Sequence, residues 1–132
     1  RVDAGEIGAG HSVTALYELE LVSGAEGRLG TVRVRGQKPR SQGAFETAVA
    51  VASAAVMKPL ERASTELRFA AAVAGAADVL RGNGQASGFS LDAAIALAED
   101  ATRGLPERLE FVGLMRKAAG LAPGGYPVSA AY

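Results

Sequence analysis

The chain has 132 residues and no net formal charge, which suits a single domain with one modest core. A nucleic-acid-binding protein usually carries a basic excess that neutralises phosphates, so zero net charge argues against that class. The absence of cysteine excludes disulfides, thiolate nucleophiles and cysteine-type zinc sites. The longest apolar run, Ala48 to Met57, is about half of the roughly 20 residues that a membrane span requires. No signal peptide is visible, and because the chain begins with Arg1 we expect a fragment of a longer protein.

The first half of the chain has the alternating pattern of β-strands. Val13, Tyr17 and Leu21 belong to an apolar series with period two, which predicts a strand over 13–21. A turn-forming stretch, Ser23 to Gly27, separates it from a second alternating stretch, Leu29 to Arg35, in which Val32 and Val34 are predicted to point inward. These two strands are expected to form an antiparallel hairpin, in which two glutamates could face two arginines: Glu18, Glu20, Arg33 and Arg35.

Residues 44–51 are ambiguous between strand and helix. Phe45, Thr47, Val49 and Val51 favour a third strand, whereas the alanine content favours a helix. We predict a strand over 44–51, followed by irregular chain that ends at Pro59.

The second half has the periodicity and the end signals of three helices. Ser64 and Ser90 suit the N-caps of the first two, and Pro106 suits the first residue of the third. Gly82 and Gly104 are expected to end the first and second helices.

Apolar residues predict which face of each helix is buried. In the first helix this face carries Phe69, Val73, Ala76 and Leu80, and few polar residues interrupt it, so we expect this helix to be the most buried. In the second helix Glu99 and Arg103 have the spacing of a favourable ion pair. In the third helix the predicted packing residues are Leu109, Phe111, Val112, Leu114, Met115 and Ala118.

Together these elements predict an α+β fold. Two or three N-terminal antiparallel strands, which could belong to a β-sandwich, precede a three-helix bundle. We expect a β-rich segment over 1–58, a helical segment over 59–121 and a loose tail rich in proline and glycine over 122–132. All three segments are interpreted as one domain of a larger protein.

Residues that could carry chemistry are few. His11 is the only histidine, and with Asp3 and Glu6 it could form a metal site, but no second histidine supports one. A hydrogen-bonded turn histidine, or a contact with a neighbouring domain, explains His11 better. Gly5, Gly8 and Gly10 precede a strand instead of a helix, so they do not form a dinucleotide-binding loop. We predict no catalytic, cofactor or metal residues, and hence no enzyme.

One basic cluster contains Arg33, Arg35, Lys38 and Arg40. The simplest interpretation is the solvated face of an edge strand, where charges discourage aggregation. The alternative is a site for an acidic protein or another polyanion. Glu6, His11, Arg33 and Arg35 are therefore the candidate interaction residues.

Three stretches resemble a known family. They are VDAGEIGAGHSVTALYELELV (Val2–Val22), ELRFAAAVAGAADVLRG (Glu66–Gly82) and LEFVGLMRKAAGL (Leu109–Leu121). They resemble the C-terminal region of bacterial YfbK-like von Willebrand factor type A proteins, and the resemblance spans about residues 2–121. In that family the region follows the metal-binding A domain.

The resemblance implies a cell-envelope or secreted protein and an upstream A domain as the partner. The D-x-S-x-S metal motif of the A domain does not occur in this chain, so no metal site is transferred to it. The predicted function is a non-catalytic accessory domain that mediates intramolecular or protein–protein contacts. The alternative is an autonomous ligand- or glycan-binding module of the cell envelope.

Overall fold

The computed structural model describes residues 5, 7–8, 10–37, 43–56, 58–84 and 88–121. Two strands, β1 (Arg28–Gln37) and β2 (Ala44–Ala52), are followed by three helices, α1 (Thr65–Leu80), α2 (Leu91–Glu99) and α3 (Pro106–Leu121). Short 3-10 turns at Ser53–Ala55 and Leu60–Arg62 lie between β2 and α1. This order confirms the predicted α+β class. The chain divides into two compact units, the hairpin unit of Glu18–Arg62 and the helical unit of Arg1–Tyr17 with Ala63–Tyr132.

The hairpin joins β1 to the strand that follows it. β1 and β2 are antiparallel, and their register runs from Arg28 opposite Ala52 to Gln37 opposite Ala44. This confirms the strand predicted over 44–51. The strand predicted over 13–21 is wrong for this structure, since residues 11–22 have no regular secondary structure. Alternation indicates which way side chains would point, but a strand also needs a neighbouring edge for its backbone groups, and β2 supplies that edge to β1.

Serine side chains begin the first two helices, as predicted. The Leu67 amide donates a hydrogen bond to Ser64 Oγ at 3.2 Å, and the Ala93 amide donates one to Ser90 Oγ at 3.1 Å. Each bond satisfies one of the backbone donors that a helix start leaves without an intrahelical partner. Pro106 is the first residue of α3, where its missing N–H has no consequence.

The buried face of α1 is rotated from the predicted one. Ala72, Gly75 and Ala76 are buried, whereas Val73 and Leu80, which we expected in the core, are exposed. Because α1 is apolar around most of its circumference, its periodicity could not select the inner face. Small residues allow close helix contact, and these are the residues that face inward.

The most buried helix is α2, which corrects the expectation for α1. Four of its nine residues are buried: Leu91, Ala94, Ile95 and Ala98. They form one core cluster with residues of the other two helices, Ala72, Ala76 and Val112. α2 therefore provides the centre of the helical unit.

A phenylalanine ring occupies the space above a glycine of α1. A Cβ atom added at Gly75 would lie 2.5 Å from Cδ1 of Phe89, the residue just before the Ser90 cap. No side chain can be accommodated there unless the ring moves. Gly75 thus allows the chain before α2 to pack directly on α1, despite the low helix propensity of glycine.

In α3 the inner face carries one buried arginine. Arg108 and Val112 are buried, and Phe111, Met115 and Ala118 pack against the core as predicted. Leu109 and Leu114 were also expected in the core, but both are exposed.

Arg108 connects α1, α3 and the turn that follows α2. Its Nη1 donates a hydrogen bond to the carbonyl oxygen of Ala101 at 2.8 Å, and its Nη2 donates one to the Glu66 carboxylate. Its guanidinium carbon lies 4.6 Å from the centre of the Phe69 ring, which in turn meets Phe111 edge to face. A charge in this position is tolerated because it has both hydrogen-bond partners and an aromatic face.

The hydrogen bond from Arg108 lowers the pKa of the Glu66 carboxyl below its ordinary value, and a further hydrogen bond from Arg103 acts in the same direction. Arg103 Nη1 lies 3.3 Å from Glu66 Oε1. The predicted pair of Glu99 with Arg103 is therefore wrong. α2 ends at Glu99 and not at the predicted Gly104, and Arg103 has a φ of 52° outside the helix. Glu99 pairs instead with Arg116 at 2.6 Å.

In the parts of the chain that the structure describes, no helix is both long and apolar enough to cross a membrane.

Candidate interaction surface

The two faces of the β1–β2 hairpin differ sharply in polarity. Residues directly opposite each other in an antiparallel pair share a face, and Val32 lies opposite Val49, Val34 opposite Thr47 and Gly36 opposite Phe45. The hairpin's apolar face therefore carries Val32, Val34, Phe45, Val49 and Val51. The opposite face, its charged face, carries Thr31, Arg33, Arg35, Gln37 and Glu46.

The apolar face is open to solvent. Val32 is 46% exposed, Val34 58%, Phe45 47% and Val49 61%. Single exposed apolar residues are common on protein surfaces, but here they are neighbours on one side of one hairpin. A two-stranded sheet is also marginal in water without a layer against its apolar side. These two properties are typical of a surface that another structural layer covers.

The phenylalanine of this face lies across the neighbouring strand. A Cβ atom added at Gly36 would be 2.5 Å from Cζ of Phe45, so the ring occupies the space that a side chain at Gly36 would take. Aromatic rings placed in this way shield glycines in sheets. The Phe45 ring therefore continues the apolar face over Gly36.

The arginines predicted as interaction residues lie on the charged face. Arg33 and Arg35 are exposed, and Arg35 is opposite Glu46 in the register, not opposite Glu18 or Glu20. Lys38 and Arg40, which complete the predicted basic cluster, lie outside the described residues. The basic residues and the valines therefore lie on opposite faces of the hairpin. The alternation of β1 predicted this separation.

The structure describes one of the other two candidate residues, His11. His11 is exposed, and its backbone amide donates a hydrogen bond to the carbonyl oxygen of Gly8 at 3.1 Å, which is a turn. Glu6, like Asp3, lies outside the described residues. Among the residues that are described, no three histidine or carboxylate side chains are grouped so that they could hold a metal ion.

The sequence predicts part of the apolar face. Val32 and Val34 are predicted to point inward, and the structure leaves them exposed. The sequence does not place Phe45 and Val49 on the same face as these valines. The small number of predicted strands does indicate a missing partner, because so small a sheet has little to cover its apolar side.

The chain matches one protein family over most of its length. Residues 1–29 and 22–121 match the family model described as "Uncharacterized protein YfbK, C-terminal". No curated protein and no solved structure matches the chain.

Proposed function

This chain belongs to the YfbK C-terminal family, and we propose that it is a non-catalytic accessory domain whose hairpin binds another part of the same polypeptide or a partner protein. One observation carries the proposal, namely the apolar face on which Val32, Val34, Phe45 and Val49 are exposed. Covering this face would remove neighbouring aliphatic side chains from water, which is the main favourable contribution to protein association.

The partner we propose is the von Willebrand factor type A domain that precedes this region in the proteins that it resembles. A cell-envelope or secreted location is part of the same proposal. The charged face supports the orientation of the contact, because Arg33, Arg35 and Glu46 can remain hydrated while the apolar face is covered. The three helices follow the strands in the sequence and form a packed unit of their own. The proposal does not require them to contact the partner.

The direct experiment is titration calorimetry between the chain and the separately produced A domain, with and without Mg²⁺. Binding would support the accessory role, and a dependence on Mg²⁺ would connect it to the metal state of the A domain. The absence of binding at high concentration would contradict the proposal.

A matched pair of variants identifies the face that is used. Val49 and Ala48 are consecutive, both are exposed, and they point to opposite faces of β2. Val49→Glu places a carboxylate on the apolar face and should weaken binding by about tenfold or more, whereas Ala48→Glu should change it little. Equal weakening by the two variants would show that the apolar face is not the binding surface.

A further inference from the structure

Residues 18–22 have no regular secondary structure, although their sequence alternates as in a strand. Leu19 and Leu21 alternate with Glu18 and Glu20, and Leu19 is 67% exposed. Within the described chain, the one backbone hydrogen bond of this segment is that from the Ala25 amide to the Val22 carbonyl oxygen, at 3.1 Å. The other backbone groups of the segment are free to pair with a strand edge.

β1 offers such an edge. In the sheet that the structure describes, β1 pairs with β2 along one side, and its other side has no neighbouring strand. An open edge of this length pairs readily with another strand unless it is blocked. In the single chain, therefore, both an edge and a segment suited to it are left unpaired.

The side chains of residues 18–22 and of β1 are complementary only when even-numbered residues of the segment lie opposite odd-numbered residues of β1. The glutamates then share a face with the arginines, and the leucines share a face with the valines. A shift by one residue would place the leucines on the charged face. One register gives complementary partners to residues 18–21, and its opposite pairs are Glu18 with Arg35, Leu19 with Val34, Glu20 with Arg33 and Leu21 with Val32.

The charges that this register would join are otherwise unused. Among the described residues, Glu18, Glu20 and Arg33 take part in no ion pair, and all three are exposed. Opposite charges placed directly across a ladder stabilise strand pairing, and like charges destabilise it. Charge and apolar pattern thus select the same register independently.

We propose that two copies of this chain associate by strand addition, in which residues 18–22 of each copy pair antiparallel with the free edge of β1 of the other. A two-fold axis relates the two contacts, so the central part of the β1 edge, residues 31–35, is paired in both copies. The addition also extends the apolar face of each hairpin by Leu19 and Leu21. This inference goes beyond the proposed function, because it needs no A domain.

The test uses single-cysteine variants, since the chain has no cysteine of its own. Val22 lies opposite Thr31 in the proposed register, and both positions leave the two ion pairs intact. A mixture of Val22→Cys with a size-tagged Thr31→Cys should give a disulfide-linked heterodimer on mild oxidation. The control mixture, Leu21→Cys with the tagged Thr31→Cys, places the thiols on opposite faces and should give much less.

A charge reversal tests the register separately. Glu20→Lys in the Val22→Cys copy should lower the heterodimer yield, and Arg33→Glu in the Thr31→Cys copy should restore it. Equal yields in the test and control mixtures would overturn the proposal, as would a chain that stays monomeric in sedimentation at every concentration. A cross-link that forms only within a chain carrying both cysteines would overturn it too, since it would place the segment on its own β1. All these measurements omit the A domain, so they can fail while the calorimetric experiment succeeds, and the reverse.

Discussion

The helical unit and the hairpin unit use apolar residues in opposite ways. In the helical unit small apolar side chains, such as Ala72, Ala94 and Ala98, are fully buried where three helices meet. In the hairpin unit larger side chains, such as Val34 and Val49, remain exposed on one face. A helix satisfies its own backbone hydrogen bonds and needs only a packed face, whereas a strand needs both a neighbouring edge and a covering layer. The difference teaches that the neighbouring exposed valines of the hairpin indicate a missing covering layer on the strand side.

The strongest test of this comparison shortens one apolar side chain to alanine in each unit and compares the loss of stability. Ile95→Ala removes buried core atoms and should lower the free energy of unfolding by about 3 kcal/mol. Val49→Ala removes exposed atoms and should change it by less than about 0.5 kcal/mol. Urea unfolding followed by helical circular dichroism measures both. A large effect of Val49→Ala would mean that the hairpin's apolar face is already covered in the isolated chain.

A second test concerns the arginine that joins the helices. Arg108→Ala should lower the free energy of unfolding by about 2 kcal/mol, because it removes hydrogen bonds to a carbonyl and a carboxylate from a buried position. Arg116→Ala is the control, since its ion pair with Glu99 is exposed and should contribute less than about 0.5 kcal/mol. Equal effects of the two variants would show that Arg108 has no special role in the helical unit.

A third test replaces two helical glycines for which we expect opposite changes in stability. Gly75→Ala should destabilise the chain by about 1 kcal/mol, because the clash with Phe89 outweighs the better helix propensity of alanine. Gly113→Ala should stabilise it by about 0.5–1 kcal/mol, because no atom lies within 4 Å of the new Cβ. Thermal unfolding of both variants gives the two signs, and a stabilising Gly75→Ala would contradict the packing of Phe89 on α1.

The smallest expected effect is a pH dependence within the helical unit. Because the folded-state pKa of Glu66 is lowered, its ion pairs stabilise the fold above the ordinary carboxyl range, and this contribution is lost as the pH falls through the lowered pKa. Glu66→Gln should therefore make urea stability less sensitive to acidification below about pH 4.3. Glu110→Gln, which removes a carboxylate without an ion-pair partner among the described residues, should retain the wild-type slope. Parallel slopes for Glu66→Gln and wild type would show that the arginines do not act on Glu66 in solution.

The helix starts and the class of the fold could be predicted because they depend on neighbouring residues. Ser64, Ser90 and Pro106 each begin a helix through contacts or constraints within one turn. The strand that pairs with β1 could not be predicted in the same way. The stretches before and after β1 in the sequence both alternate, and only the tertiary structure shows that β1 pairs with the later one, β2.

The candidate surface was predictable in its composition but not in its exposure. Alternation along β1 places Val32 and Val34 on one face and Arg33 and Arg35 on the other, and the register with β2 preserves that separation. Whether a face is covered depends on elements distant in the sequence. That property is not encoded in the alternation of a strand.

The amino-acid sequence alone determined where the three helices begin, the two-sided character of β1 and the family to which the chain belongs. These properties follow from local propensity, capping and patterning, which act over a few residues. Only the tertiary structure decided that α2 is the most buried helix, that Arg103 binds Glu66 and not Glu99, and that the small residues of α1 face inward. Each of these depends on which surfaces meet in space, and several arrangements satisfy the same local preferences until packing selects one.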